Sequence, residues 1–365
     1  MRGVAGNRIG VVLAGTGAIA PKHARAIART DGLSLVAVLS RDRARAESLA
    51  SRFGADATTD AAEALARDDV GALAICTEHD RHLPLLRLAA EAGRHVVIEK
   101  PLAVDVDAGA RALGACAAAG VVVACVFQRR FDPALVRLKR AVEEGRTGRA
   151  IGLELSMVWR RDARYFTRTG SAWRGDPARA GGGVAMMQAI HLLDAARWLF
   201  GEVVEVEGSV ANARGRAAVE DVLAATLRFE SGALGAVFAT TAGAGALAPR
   251  AAFHFEHGSA VVEAEHLRAW SLPPAPGSAS DALRRSARFR ERIARRLPWR
   301  LVPRHAGPKG RFEDVYLDFA EAVGTGRSPR SEGGDALRSV AVVQALYEAA
   351  SEGRRVAVRN PLRDS

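Results

Sequence analysis

The stretch RIGVVLAGTGAIAPKHARAIART, residues 8–30, constrains this chain more than any other. An unbroken aliphatic run ends in two closely spaced glycines, and an alanine-rich segment of helical character follows. An aliphatic run of this kind reads as a strand covered on both faces, since a strand with one wet face would alternate apolar and polar residues. Gly15 permits a tight turn, Gly17 lets a ligand approach the backbone, and Ala20 lets the helix pack closely. This G-x-G-x-x-G/A spacing between strand and helix is the signature of a dinucleotide cradle, with free N–H groups at the helix start facing the phosphates. A glycine turn without a ligand is the bland alternative. The expected cofactor-binding turn is therefore Gly15, Thr16, Gly17, Ala18 and Ile19.

The same style continues through the first 130 residues. LSLVAVLS, VGALAICT, RHVVIEK and VVVACVF are further apolar runs, and RARAESLASRFG and LPLLRLAAEAG lie between them with helical character. This alternation predicts a doubly wound parallel sheet over residues 1–130. After about residue 148 the runs shorten and alternate: AIGLELSMVW, VVEVEGSVANA, DVLAATLRFE, ALGAVFATT, RAAFHFEH and SAVVEAEHLRAW. They predict a mixed or antiparallel sheet in a second α+β domain, residues 131–365. A long helix is expected near 182–200, further helices near 312–325 and 334–352, and a last strand at RRVAV. Residues 273–310, opening PPAPGSAS, read as an insertion containing one basic helix.

The totals narrow the class. At 365 residues the chain is long enough for two domains. No apolar run reaches the roughly 18–20 residues of a membrane span. Cys76, Cys116 and Cys125 are odd in number and show no metal spacing, which suits a reduced, cytoplasmic protein with no metal site. A net charge of +11 would ordinarily raise nucleic acid. However, residues 281–311 hold ten arginines and one lysine against Asp281 and Glu291, so nearly all the excess is local. Nucleic acid is not expected as a partner. The basic stretch is read as a solvated helix, a cover for a phosphate-bearing ligand, or a segment lying on an anionic membrane, the last the least favoured.

Two loops indicate which cofactor and which chemistry. NAD sites commonly place Asp or Glu at the end of the second strand, facing the ribose 2′-hydroxyl. Here that strand ends in Ser40 and Arg41. Serine removes a charge that would repel a 2′-phosphate, and Arg41 offers one that would bind it. NADP(H) is expected over NAD(H), while Asp42 keeps NAD(H) open. CTEHDRHLPLL and EKP follow two other strands, at the end of a parallel sheet where ligands gather. Thr77, Glu78, His79, His82, Glu99 and Lys100 are expected around the cofactor. Only four of the 52 cations are lysine, and Lys100 is one. An ammonium can release a proton, and a guanidinium cannot.

GTGAIA, EKPLA, FQRRFDPA, YFTRTGSAWRGDPARAGGGVAMMQAIHLLDAARWLFG and DFAEAVGTGRSP, in this order, resemble the Gfo/Idh/MocA oxidoreductases over nearly the whole chain. The resemblance implies a dinucleotide domain followed by an open-sheet domain that commonly mediates assembly into a homo-oligomer, dimer or tetramer. It implies that Lys100 contacts the reacting oxygen beside the nicotinamide and that His191 is the general acid/base. Gln128 and Arg174 are implied to border the cofactor. Arg130, Tyr165, Gln188, His191 and Asp194 are implied to border the substrate. Asp194 also lies one turn after His191, on the same helix face.

One departure matters. Inositol dehydrogenase-like members carry an aspartate four residues before the histidine, and this chain has Met187 there. The resemblance is closer to members acting on sugars and sugar nucleotides. The expected activity is therefore hydride transfer between NADP(H) and a hydroxyl or ketone carbon of a sugar, sugar nucleotide or cyclitol. An NAD-assisted glycosidase and a non-catalytic cofactor sensor are the alternatives.

Overall fold

A computed structural model describes residues 8–168, 170–273 and 312–362. The basic segment falls outside the described residues. Residues 9–125 build a six-stranded parallel sheet from β1 (Ile9–Ala14), β2 (Leu33–Leu39), β3 (Asp56–Thr58), β4 (Ala72–Ile75), β5 (His95–Ile98) and β6 (Val123–Cys125). Their order is β3-β2-β1-β4-β5-β6. The strand order reverses beside β1, which pairs with β2 on one side and β4 on the other. A crevice opens at such a switch point, outside the carboxyl ends of the strands. The edge strand β3 has no apolar run because it is only three residues long and its side chains are half-buried or exposed.

Helices α1 (Ala20–Arg29), α2 (Arg43–Ala50), α3 (Ala61–Ala66), α4 (His82–Glu91) and α5 (Val106–Ala118) connect these strands. The turn before α1 needs Gly15: its φ is 111°, and an added Cβ would stand 2.7 Å from the Cys76 carbonyl oxygen. Cysteines 76, 116 and 125 are buried and free.

The second sheet is mixed and has eight strands: β7 (Ala150–Arg160), β8 (Val203–Ala211), β9 (Val222–Phe229), β10 (Leu234–Thr240), β11 (Ala242–Phe255), β12 (Gly258–Glu263), β13 (His266–Trp270) and β14 (Val356–Ala357). Their order is β13-β12-β11-β7-β10-β9-β8-β14, with β7 parallel to β10 and antiparallel to β11. Along β10 the burial alternates, so Gly235, Val237 and Ala239 face the core while Leu234 and Phe238 face outward. One face of the sheet is thus packed and the other open. SAVVEAEHLRAW, expected as one strand, is two. The chain reverses at Ala264 and Glu265, both left-handed with φ of 48° and 68°. That turn usually takes Asn or Gly, which is why the sequence concealed it.

Between the sheets run α6 (Pro133–Glu143), the short helices α7 (Arg164–Thr167) and α8 (Pro177–Ala180), and α9 (Ile190–Phe200). A π-helical turn, Ala185–Ala189, leads into α9. The glycines before it are required by close approach. A Cβ on Gly182 would lie 2.0 Å from the Tyr347 hydroxyl, and one on Gly183 would lie 1.9 Å from the Glu220 carbonyl oxygen.

Two helices close the chain, α10 (Phe312–Thr325) and α11 (Gly333–Glu352). The division at residue 130 is crossed by α10. Its Val315, Tyr316 and Phe319 pack into the core of the first sheet with Val11, Leu13 and Ile27, so this helix does not belong to the second domain in space. No described helix is long and apolar enough to cross a membrane.

Candidate active site

A cleft of about 1210 Å³ lies at the carboxyl ends of β1, β2, β4 and β5. Its floor is the turn Gly15, Thr16, Gly17, Ala18 and Ile19. A dinucleotide fits this floor. Gly17 is exposed, with nothing within 4 Å of where a Cβ would stand. No side chain caps the start of α1; Ala20 and Lys22 donate to the Gly17 and Ile19 carbonyls and Pro21 has no N–H, so a phosphate would meet the glycine turn just ahead of the helix.

At one end, Ser40, Arg41, Asp42 and Arg45 line the wall. Ser40 Oγ lies 3.2 Å from Thr16 Oγ1. Asp42 is engaged already: its carboxylate accepts the Arg45 N–H as the cap of α2 and pairs with the Arg45 guanidinium at 3.2 Å. Arg41 is exposed and donates to Glu78 at 2.8 Å.

At the other end stand Lys100, Gln128, Tyr165, Arg174, Met187 and His191. Lys100 follows β5 directly, and its Nζ donates to the Met187 carbonyl at 2.7 Å. Met187 thus orients the lysine through its backbone, from within the π-helical turn, a distortion often found at functional sites. Burial lowers the Lys100 pKa against the opposing pull of Glu99, and Arg174 and Arg161 lower it further. His191 is held well below the usual imidazole range by burial, with Lys100 and Arg129 adding to the effect. It is therefore a neutral base near pH 7, and its Nδ1 has no hydrogen-bond partner among the described residues.

Glu99 sits beneath Lys100. Burial opposes its charge, but the hydrogen bond to His23 and the nearby positive charges outweigh that and lower its pKa. His23 Nε2 lies 3.1 Å from Glu99, and His23 Nδ1 lies 2.8 Å from the Tyr316 hydroxyl. This chain from α10 to the lysine was not expected from the sequence, because nothing local links His23 to residue 316.

Several expected residues line the cleft: Thr77, Glu78, His79, Glu99, Gln128, Tyr165, Arg174 and His191 among them. His79 Nδ1 also meets the Ala180 carbonyl at 2.7 Å and its ring packs on Trp173. Four do not reach the cleft. His82 is fully buried at the start of α4, its Nδ1 2.8 Å from the Pro101 carbonyl. Gln188 is buried behind the wall and donates to the Tyr165 hydroxyl, so it touches the site through that tyrosine. Arg130 and Asp194, expected at the substrate, instead form a buried bidentate pair at 2.8 and 2.6 Å. Ser339 donates to the same carboxylate, and Asp335 adds a second partner for Arg130. Asp194 therefore does not orient His191. Conversely, Lys22, Arg45, Arg168 and Trp173 line the cleft without having been expected there. Trp173 lay beside Arg174 in AWRGD, the one signal that pointed to it.

A glycine-floored crevice at the switch point of a parallel sheet, with lysine and neutral histidine at its far end, defines a nicotinamide-dependent oxidoreductase. Residues 9–127 match the oxidoreductase family with NAD-binding Rossmann fold, and residues 135–261 match the GFO/IDH/MocA C-terminal domain. The chain belongs to the Gfo/Idh/MocA family. It is 28% identical over 363 residues to D-apiose dehydrogenase of Paraburkholderia graminis, covering 95% of this chain and 89% of that protein. It is also 28% identical over 356 residues to inositol 2-dehydrogenase of Rhizobium meliloti, covering 95% and 98%. The WlbA dehydrogenase from Bordetella pertussis, solved in complex with NADH and UDP-GlcNAcA, superposes with a TM-score of 0.83 at 28% identity, over 97% of this chain and 98% of that one. The chain is thus a sugar or cyclitol oxidoreductase with an NAD-binding fold.

Proposed function

We propose that this enzyme moves hydride between NADP(H), in preference to NAD(H), and a hydroxyl-bearing or ketone carbon of a sugar or sugar nucleotide. The observation that carries the reading is Lys100, held by the Met187 carbonyl on the same wall as His191, whose Nδ1 has no hydrogen-bond partner among the described residues. When bound, the nicotinamide supplies the hydride chemistry. Lys100 polarises the reacting oxygen with a pre-oriented ammonium. His191, kept neutral by burial, takes or returns the oxygen's proton. Tyr165, held by Gln188, lends a hydroxyl to the substrate wall.

The cofactor preference rests on the ribose end. Ser40 carries no charge, Asp42 is neutralised by Arg45, and Arg41 stands on the same wall. Arg41 would exchange Glu78 for a 2′-phosphate, which keeps a charge-assisted partner for the guanidinium.

We further infer a cofactor part up to about residue 130 and a substrate part from 131 to 365, with α10 returned to the first. The outward face of the second sheet exposes Ile151, Leu234 and Phe238, which suits assembly into a homo-oligomer. Three buried free thiols suit the cytoplasm.

The test is a turnover screen with NADPH and NADH across sugars, sugar nucleotides and inositols. Oxidation of NADPH with a sugar-derived ketone is expected. Sugar release without net cofactor turnover would favour the glycosidase reading, and cofactor binding with no turnover on the panel would overturn the proposal.

A further inference from the structure

At the substrate end of the cleft the charges do not balance. Arg161 and Arg174 both pack against the Tyr165 ring, their guanidinium carbons 4.7 and 5.0 Å from its centre. Among the described residues neither guanidinium meets a carboxylate, and the buried Arg161 Nε has no hydrogen-bond partner. Arg130, Arg179 and Arg197 all find carboxylates. Two acids of this region are already engaged. Glu99 is bonded to His23, and Asp162 accepts the Tyr165 N–H. Position 187, one turn before His191, is methionine and brings no charge.

We propose that the substrate itself carries an oxyanion, a carboxylate or phosphate on a sugar-sized frame, gripped by Arg174 on the cleft wall beside Lys100, with Arg161 adding positive charge from its place against the Tyr165 ring. This rests on the oxidoreductase reading above. Guanidinium forks suit two-oxygen anions, and such a pair is strong where water is excluded. Tyr165 stacks between recognition and chemistry: its ring carries the arginines, and its hydroxyl meets Gln188 one turn from His191. A neutral sugar covering these half-buried guanidiniums would leave them without an anionic partner, a cost that an anionic substrate removes. The same two cations help depress the Lys100 pKa. An anion bound to them would therefore favour the protonated lysine that polarises the reacting oxygen.

The experiment is calorimetric titration of the NADPH-saturated full-length enzyme with matched pairs: a uronate against its neutral sugar, a sugar phosphate against the free sugar, and UDP-glucuronate against UDP-glucose. The anionic member of at least one pair should bind tenfold tighter or more, with affinity falling as salt rises. Arg174→Gln should cut that advantage roughly 10–100-fold, the range expected for one lost charged hydrogen bond. Arg228→Gln, on the open sheet face, should not change it. The uronate and phosphate arms separate the two oxyanions. UDP-glucuronate against UDP-glucose isolates the carboxylate when the nucleotide is common to both. Equal or tighter binding of the neutral members, or no binding by any anionic member while NADPH binds, would overturn the proposal. Should the variant fail to fold, the wild-type pairs and their salt dependence still decide it. Failure to bind NADPH at all would instead overturn the oxidoreductase reading.

Discussion

The Arg130–Asp194 pair allows a sharp test of whether these residues hold the fold together or hold the substrate. Asp194 is fully buried and accepts from Arg130 at 2.8 and 2.6 Å and from Ser339 at 2.9 Å. Asp194→Asn keeps the shape and removes the charge. Breaking one side of a buried pair costs roughly 3–5 kcal/mol, because the remaining charge stays in the interior. Arg130 keeps Asp335 and the Arg330 carbonyl, so the lower end, about 3 kcal/mol, is expected. Unfolding entropy of ~2.1 cal/mol/K per residue gives about 0.8 kcal/mol/K for a chain of this length. The melting temperature should therefore fall by about 4 °C. The assay is thermal unfolding by intrinsic fluorescence, paired with kcat/KM at 20 °C, where kcat/KM should stay within about threefold of wild type. An unchanged melting temperature with a kcat/KM loss above tenfold would refute the structural role and return both residues to the substrate.

Other expectations follow from the same contacts. Lys100→Arg keeps the charge but loses the compact, deprotonable ammonium, so kcat should fall roughly 10²–10⁴-fold as in Lys100→Met; an arginine variant within a few-fold of wild type would show that charge alone suffices. Arg41→Ala should weaken NADPH at least tenfold more than NADH in a fluorescence titration, and equal losses would remove the 2′-phosphate role. The buried His79 and His82 and the half-buried His191 all have lowered pKa values, with desolvation the leading cause. The unfolded chain binds more protons below the ordinary imidazole pKa of about 6.5, so their contribution is full above that pH and is lost as pH falls. The urea midpoint should drop between pH 7 and pH 5.5, and a constant or rising midpoint would contradict this. With Met187 in place of an acid, myo-inositol should be turned over far more slowly than the best sugar; inositol as the best substrate would refute it.

Much of the fold was legible because its causes are local. Runs such as GVVLA and LAICT carry no polar face, so they had to be interior parallel strands, and the glycine turn had to follow one of them. That Lys100 and His191 line one end of the cleft was legible through EKP and QAIHLLD, which are short and sit at strand and helix ends. What escaped depends on distant partners. Nothing around Arg130 or Asp194 reveals that each is buried against the other, or that Asp194 also accepts from Ser339, more than 140 residues beyond it. The Glu99–His23–Tyr316 chain spans almost the whole sequence and is invisible at either end. The Ala264–Glu265 hairpin lacks the residues its backbone usually demands. Met187 was legible as a missing acid, but its carbonyl is a backbone group, and its role as the acceptor for Lys100 emerges only from the π-helical turn.

The central claim is that the cleft exchanges hydride with a sugar carbon beside Lys100. The most direct measurement is label transfer: NADPH deuterated at the reactive C4 position, incubated with wild-type and Lys100→Met enzyme and a panel of oxidised sugars and sugar nucleotides, with products analysed by mass spectrometry and NMR. Deuterium should appear on the former carbonyl carbon of at least one product with the wild type. The Lys100→Met enzyme should bind NADPH and transfer almost none. NADPH bound by wild type with no label reaching any product, or equal transfer by the two enzymes, would contradict it.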